Sequence, residues 1–415
     1  MGSAGEAYLF EAVRTPRGHG GEAGALAGVR PVELVGQLLH ALGERGLDPT
    51  AVDDLVLGCV TQVGDQGANV AKIAALWAGW PEAVPGLTLT RFCASGLDAI
   101  GTAAARVIAG FDGLIVAGGV ESMSRVPMLA DRGAWWMDPE VAERTRYVHM
   151  ALSADLIASL DGHGREALDA WALRSHVRAR AAWAGGHFAR SIVPVRGADG
   201  EVLLGQDERV KADLSVDALA AKPPVAATLA SADPAGVEAG VRRIHARYPE
   251  LGEGGLRHLH SRATAPAVVD GAALVVVGSL ERGRALGLEP RARVVGYAAA
   301  SVEPVIMLTA TEPACRRALA QAGRRPGEVE LFEINESFSA TVLRTVRALE
   351  VDAERVNVHG GAIAMGHPLG ASGAILVGTL LDALDERRSV QESGLGVATL
   401  CAGAGLGTAV AIERC

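Results

Sequence analysis

The chain has 415 residues, 49% hydrophobic and 21% charged. At about 150 residues per domain this gives two or three domain-sized units with a large core, which excludes a staple-dependent miniprotein and a largely disordered chain. Asp and Glu total 48 against 39 Lys and Arg, a formal charge of -9, so the global balance offers nucleic acid no attraction, while a local basic mouth for a phosphorylated ligand stays open. Five cysteines, at 59, 93, 315, 401 and 415, are too scattered for a disulfide scaffold, form no CxxC pair and fit a reducing compartment. No run reaches about 18 apolar residues, and the first residues lack the basic and apolar regions of a signal peptide. The expectation is a cytoplasmic protein without an integral membrane segment.

In chain order, 31–45 carries apolar side chains at helical spacing after an initiating proline, 54–60 reads as a short buried strand and 67–80 as a helix. The segment 87–90 predicts a strand, 93–110 a helix rich in small residues and 113–119 another strand. Similar ingredients return later: helix 313–323, strand 329–334, helix 337–349, strand 356–359, helix 370–384 and strand 396–401. Matching pieces, such as Leu57 with Leu331, Leu89 with Val358 and Val116 with Leu400, stand roughly 270 to 285 positions apart, which suggests a duplicated α/β half. The region between differs. About 121–270 holds Trp135, Trp136 and Met137, an Arg/Ala-rich helix at 165–184, and Gly- and Pro-containing stretches. Alternation resumes at 272–279, a nearly continuous apolar strand that must be covered on both faces. The expected body is two α/β halves stacked through helices, with this excursion over one side.

Cys93 follows a predicted strand and opens a predicted helix, where unpaired N–H groups and the positive dipole end lower a thiol pKa and hold a negative oxygen. An inert buried cysteine is the bland alternative. His367 lies in GGAIAMGHPLGASG, 360–373, a glycine-rich loop that brings backbone close to a ligand, and an imidazole beside a thiol can take its proton. Cys401 ends a strand and enters AGAGLG, whose spacing is a poor match to a dinucleotide loop. Asn335, with Glu336, sits beyond the strand ELFEI as either a helix cap or a holder of water. His359 lines the site or pairs with a carbonyl. Cys93, Asn335, His367 and Cys401 all fall at predicted strand exits, where ligands of α/β sheets gather. A metal set is conceivable from two cysteines and a histidine, yet the glycine-rich backbone without an acidic second shell favours stabilisation of an anionic oxygen.

The blocks RFCASG (91–96), GGVESMSRVP (118–127), FEINESF (332–338), NVHGGAIAMGHPLGASG (357–373) and LCAGAGLG (400–407) strongly resemble the thiolase family, in particular its degradative 3-ketoacyl-CoA thiolases and acetyl-CoA acetyltransferases. The resemblance implies a layered α-β-α-β-α core, with one half from 1–120 and 271–288, an inserted CoA- and acyl-binding loop region at 121–270, and the other half from 289–415. It makes Cys93 the acyl-accepting nucleophile, His367 its activating base and an oxyanion-hole member, Cys401 the second acid/base, and Asn335 the holder of an oxyanion-hole water. Backbone N–H groups at Cys93 and Gly403 would form the other hole. Substrate contacts would come from His359, Arg262, Ser337 and Met365. Coenzyme A is expected as a substrate, with no tightly bound cofactor and no metal, and the implied partners are CoA thioesters, a second copy or three in a homodimer or homotetramer, and a hydratase/dehydrogenase subunit of β-oxidation.

Departures are local. SRATAPA at 261–267 replaces a segment that usually reads like TAGNSSG, which puts detailed CoA contacts in question and gives Arg262 either a phosphate or a surface ion pair. Ser337 and Ser339 stand where alanines are usual, and His359 where the family often has Asn. Trp135, Trp136 and Met137 suit a lid, an acyl wall, a subunit contact or plain packing. Arg165, Arg174, Arg178 and Arg180 suit CoA phosphates, a partner or solvent. The implied reaction is thiolytic cleavage of a 3-ketoacyl-CoA, with a short-chain or sterol-side-chain variant as the nearest alternative. A decarboxylating ketoacyl synthase would want a His/His or His/Asn partner set, and a non-catalytic CoA- or lipid-binding protein has no need of intact Cys93, His367 and Cys401.

Overall fold

A computed structural model describes residues 5–211, 214–387 and 394–415. The first half comprises β1 (Tyr8–Arg14), α1 (Pro31–Glu44), β2 (Asp54–Gly58), α2 (Val70–Trp77), β3 (Gly86–Leu89), α3 (Ser95–Ile108) and β4 (Leu114–Ser122). The excursion contains α4 (Arg165–Ala184), and the chain returns through β5 (Val269–Gly278). The second half comprises β6 (Ala292–Ser301), α5 (Thr311–Gln321), β7 (Leu331–Ile334), α6 (Ser339–Leu349), α7 (Leu369–Glu386), β8 (Leu395–Cys401) and β9 (Leu406–Arg414).

The strands run in the order β7-β8-β9-β6-β1-β5-β4-β2-β3, with the two-residue strand Gly18–His19 added beside β5. In each half the buried strands pair alike: β2 is parallel to β4, β7 is parallel to β8, and β5 and β9 return antiparallel. The duplication seen in the spacing is thus a duplication of topology. Among the described residues, the two half-sheets pair where β1 touches β6, at Tyr8 with Arg293 and Leu9 with Ala292.

Alternation along each strand divides the core into layers. Leu55, Leu57, Val116 and Val276 face α1 and α2, while Val56, Ile115, Ala117 and Val275 face α3 and α7. On the second half, Leu331, Ala398 and Val410 face the same central pair, and Phe332, Val397 and Ala409 face α5 and α6. The result is the expected α-β-α-β-α stack. Its middle helix α7 is buried from Leu369 through Leu384, because sheets lie on both sides of it and no face is left for water.

Small residues set how closely α3 and α7 approach. A Cβ on Gly96 would overlap the carbonyl of Gly370, and one on Gly373 would overlap the backbone of Leu97. The first turns of the two helices therefore touch main chain to main chain. Gly373→Ala forces backbone to move in a packed interior, and it is expected to lower stability by roughly 1–3 kcal/mol; a urea unfolding midpoint unchanged from wild type would show that the contact is not tight.

The structure corrects three sequence expectations. The strand expected at 356–359 is a single bridge from Val356 to Phe332, followed by a turn in which Asn357 has a φ of 50°. Asn357 exchanges hydrogen bonds with Ile334 through its side chain, at 2.8 and 2.9 Å, and so mimics the ladder that a strand would have made. Cys93 does not open the helix; α3 begins at Ser95, after a turn in which Phe92 has a φ of 48°. The arginines of α4 are engaged within the chain: Arg165 with Asp169 and the Leu219 carbonyl, Arg174 with the Ala353 carbonyl, and Arg178 with Glu354 and the Val356 carbonyl. No helix among the described residues is long and apolar enough to cross a membrane.

Candidate active site

The turn that carries Cys93 is locked by its own side chains. Ser95 accepts the Arg91 N–H at 2.8 Å and donates to the Phe92 carbonyl at 2.5 Å. A bulky residue at positive φ is strained, and here the strain aims the next residue out of the sheet edge ahead of α3. Two residues ahead of α7, His367 is fixed in the same way. Its N–H donates to the Ala267 carbonyl at 3.1 Å, and Arg17 donates to the Gly366 carbonyl at 3.0 Å. Since the first turns of α3 and α7 are in backbone contact, the turn bearing Cys93 and the loop bearing His367 enter that contact from opposite halves.

A second thiol-bearing strand end lies beside Cys93. Cys401, at the end of β8, lies 3.2 Å from Ser337 Oγ, which also accepts from Asn335 Nδ2 at 3.0 Å. Asn335 is held to β8 by its N–H to the Thr399 carbonyl at 2.9 Å. Just beyond, a side chain on Gly403 would meet the rings of Trp135 and Phe92 at 3.2 and 3.4 Å. The Gly403 N–H has no acceptor among the described residues. Trp135 stacks obliquely on Phe92 with centroids 5.5 Å apart and edge-on against Tyr147 at 5.0 Å, so it walls the cluster.

The electrostatics differ from the expectation for a helix N-terminus. Burial, then the neighbouring Cys401 and Glu121, push the Cys93 thiol up to about 12, although its surface is only partly covered. Lost hydration is the largest of these causes. Burial, assisted by the Arg17 charge, pushes His367 down to about 3. Burial pushes Cys401 up to about 11, against a lowering by the Ser337 hydrogen bond. The resting cluster is a neutral imidazole with two neutral thiols.

His367 Nδ1 lies 2.6 Å from Ser372 Oγ, one turn into α7, while Nε2 is buried without a partner. With Nδ1 engaged, Nε2 is the nitrogen left to handle a proton.

Three of the expected substrate residues lie outside this cluster. His359 packs against His187 and Glu386 at the far end of α7. Met365 is buried in a separate apolar group with Ala179, Ala182 and Phe188. Arg262 is exposed and makes no hydrogen bond or ion pair among the described residues. Its loop nonetheless bears on the site, for Ala267 holds His367 and the Thr264 carbonyl accepts the Ser339 N–H at 3.0 Å. Ser337 belongs to the cluster itself, whereas Ser339 donates to the Leu168 carbonyl of the excursion at 2.9 Å.

Sequence reasoning passed over Glu121, Glu336 and Ser372 as organisers. Glu121, fully buried at the end of β4, accepts N–H groups of Val60, Thr61 and Gly370 at 3.0 to 3.1 Å and the Gln66 amide at 2.8 Å. It pins the first turn of α7 to the first half-sheet. Glu336 does the equivalent in the second half, accepting from Trp171, Ser175, Asn357 and the Ile363 N–H at 2.6 to 3.2 Å. The available signal was an acidic residue at the end of an apolar strand, which in a packed sheet must be satisfied by buried donors.

Residues 7–237 match the thiolase N-terminal domain and residues 288–414 the thiolase C-terminal domain. The chain belongs to the thiolase family. Among similar curated proteins, this thiolase is 40% identical to the beta-ketoadipyl-CoA thiolase of Pseudomonas aeruginosa and 36% identical to the 3-ketoacyl-CoA thiolase of Citrobacter koseri, with 99% of each chain covered in both cases. The crystal structure of the Bacillus anthracis acetyl-CoA acetyltransferase superposes on the thiolase with a TM-score of 0.83, at 33% identity and with both chains wholly covered. The matched fold and domains make the thiolase a CoA-dependent acyltransferase.

Proposed function

We propose that this thiolase cleaves 3-ketoacyl-CoA with free CoA, giving acetyl-CoA and an acyl-CoA two carbons shorter. The observation that carries the reading is the convergence of the Cys93 turn and the His367 loop at the contact of α3 with α7, with the Asn335–Ser337–Cys401 chain beside Cys93. In the forward cycle His367 Nε2 takes the Cys93 proton as the sulfur attacks the ketone carbon. The bond between the second and third carbons breaks, and Cys401 protonates the departing acetyl-CoA enolate. CoA thiol then attacks the acyl-Cys93 thioester, giving its proton to the Cys401 thiolate, and His367 returns its proton so that Cys93 leaves as the thiol. Backbone N–H groups of Cys93 and Gly403 steady one oxyanion, and a water on Asn335 with His367 steadies the other. Two thiols serve two steps, because the acyl carrier cannot also be the acid that quenches the enolate.

We place CoA along the excursion at 121–270, where exposed Arg262 offers a free guanidinium for phosphate. The absence of a second imidazole from the cluster favours this reading over decarboxylating condensation, since His359 is held elsewhere.

The deciding assay follows loss of the ketoacyl thioester with acetoacetyl-CoA, a long-chain 3-ketoacyl-CoA and β-ketoadipyl-CoA, each with and without CoA. CoA-dependent loss of at least one substrate is expected; no turnover of any would leave a binding protein instead. Ser337 separates the two half-reactions. Its hydrogen bond lowers the Cys401 pKa, so Ser337→Ala raises it, and each unit of rise slows thiolate-dependent α-proton exchange of acetyl-CoA about tenfold. Acylation of Cys93 should be little changed, and an unshifted pH profile of the exchange would remove Ser337 from the catalytic chain.

A further inference from the structure

At the end of α7 away from the thiols, three elements bring nitrogen and oxygen ligands together. His187 follows α4 by three residues, His359 sits in the turn after Val356, and Glu386 is the last residue of α7. The Glu386 carboxylate divides its oxygens between the rings, Oε1 lying 2.7 Å from His187 Nδ1 and Oε2 lying 3.2 Å from His359 Nε2. All three ligand atoms lie within 4.8 Å of one another.

Ordinary hydrogen bonding accounts for the His187–Glu386 contact but leaves His359 Nε2 unpaired. The imidazoles are stacked, with centroids 4.5 Å apart and planes at 23°, and two cations in that relation repel. His359 is only 8% exposed, and its Nε2 is buried without the alignment of a hydrogen bond. An unpartnered imidazole nitrogen gathered with a carboxylate and a second imidazole is the donor set of a borderline divalent ion.

We propose that His187, His359 and Glu386 form a binding site for one zinc-class divalent ion, which clips α4, the 357–360 turn and the C-terminus of α7 together. His359 is the fixed ligand, its ring backed edge-on by buried Phe188 at 6.0 Å. His187 and Glu386, with side chains 39% and 37% exposed, have the freedom to close from their present spacing to bonds of about 2.0–2.2 Å, and leave a fourth position for water. The site is structural. Glu386 stands 17 residues along the helix from Leu369, about 25 Å from the thiol cluster, so the clip takes no part in acyl transfer. Two imidazoles favour zinc over magnesium, which prefers oxygen ligands.

The test is a zinc chloride titration of metal-stripped full-length protein by calorimetry, run on wild type, His359→Asn and Glu386→Gln. Because the catalytic thiols also attract zinc, the readout is the difference between proteins. Wild type is expected to bind one equivalent that both variants lose or bind at least about tenfold more weakly, and to gain thermal stability with zinc that Glu386→Gln does not. Zinc-edge anomalous scattering from a wild-type crystal should peak beside His359 Nε2. Equal stoichiometry and affinity in all three proteins, or a zinc peak only at Cys93 and Cys401, would overturn the proposal. Glu386→Gln changes a partly exposed helix end and keeps the test valid should His359→Asn fail to fold.

Discussion

Cys93→Ala loses thiolytic turnover by about ten-thousandfold or more in kcat/KM, on the scale seen when a covalent nucleophile is removed. No other group can take its place. Cys401 is the nearest thiol candidate, but it is fully buried, hydrogen-bonded to Ser337 and placed on the strand end of the other half. Cys59 is buried, and that burial, with the neighbouring Glu121, raises its pKa, so its thiol stays protonated. The measurement pairs loss of the ketoacyl thioester with the intact mass of protein quenched after exposure to substrate without CoA. Wild type gains the mass of the acyl group and Cys93→Ala does not. The substitution removes one partly exposed sulfur, so the unfolding midpoint stays near wild type and a failure to fold is separable from a failure to react. Turnover within tenfold of wild type would move the nucleophile to another residue.

His367→Asn slows acylation by about a hundredfold to ten-thousandfold, the usual range for a positioned general base. The resting protonation states make this dependence strong. A thiol at about 12 and an imidazole at about 3 do not make a preformed ion pair, so proton transfer must accompany attack. The sign can be read by alkylation. Below its pKa a thiol is ionised in proportion to 10 raised to the power pH minus pKa, so iodoacetamide should modify Cys93 about tenfold faster per pH unit from 6 to 9, without a plateau. An imidazolium–thiolate pair would instead give a rate that levels off well below pH 9, and that outcome would refute the neutral resting state. The absence of any drop in acylation in His367→Asn would assign the proton to another base.

Much of the architecture was readable because hydrophobic period reports burial directly. The α4 helix at 165–184 and the α7 helix were legible from composition and spacing, and the nearly continuous apolar run of β5 demanded cover on both faces, which it has. Cys93, Asn335 and Cys401 were legible for the same reason, since the ends of buried strands are fixed once the strands are, whereas His367 was legible from its glycine-rich loop. The turn at 356–359 was not. Its apolar pattern is that of a strand, but the side chain of Asn357 replaces the ladder hydrogen bonds, and a choice between side-chain and main-chain donors leaves no trace in periodicity.

The sequence by itself determined the repeated α/β pattern, the chemistry available at Cys93, His367 and Cys401, and the small residues that bring two helices into contact. Only the tertiary structure decided which polar groups share a space. It put Ser337 between Asn335 and Cys401, sent His359 to the opposite end of α7, and buried Glu121 and Glu336 beneath the site. It also reversed the expected direction of the Cys93 shift. The physical reason is one of range: helix and strand periodicity are local properties of the chain, whereas desolvation and hydrogen-bond partnership depend on atoms that arrive from hundreds of residues away.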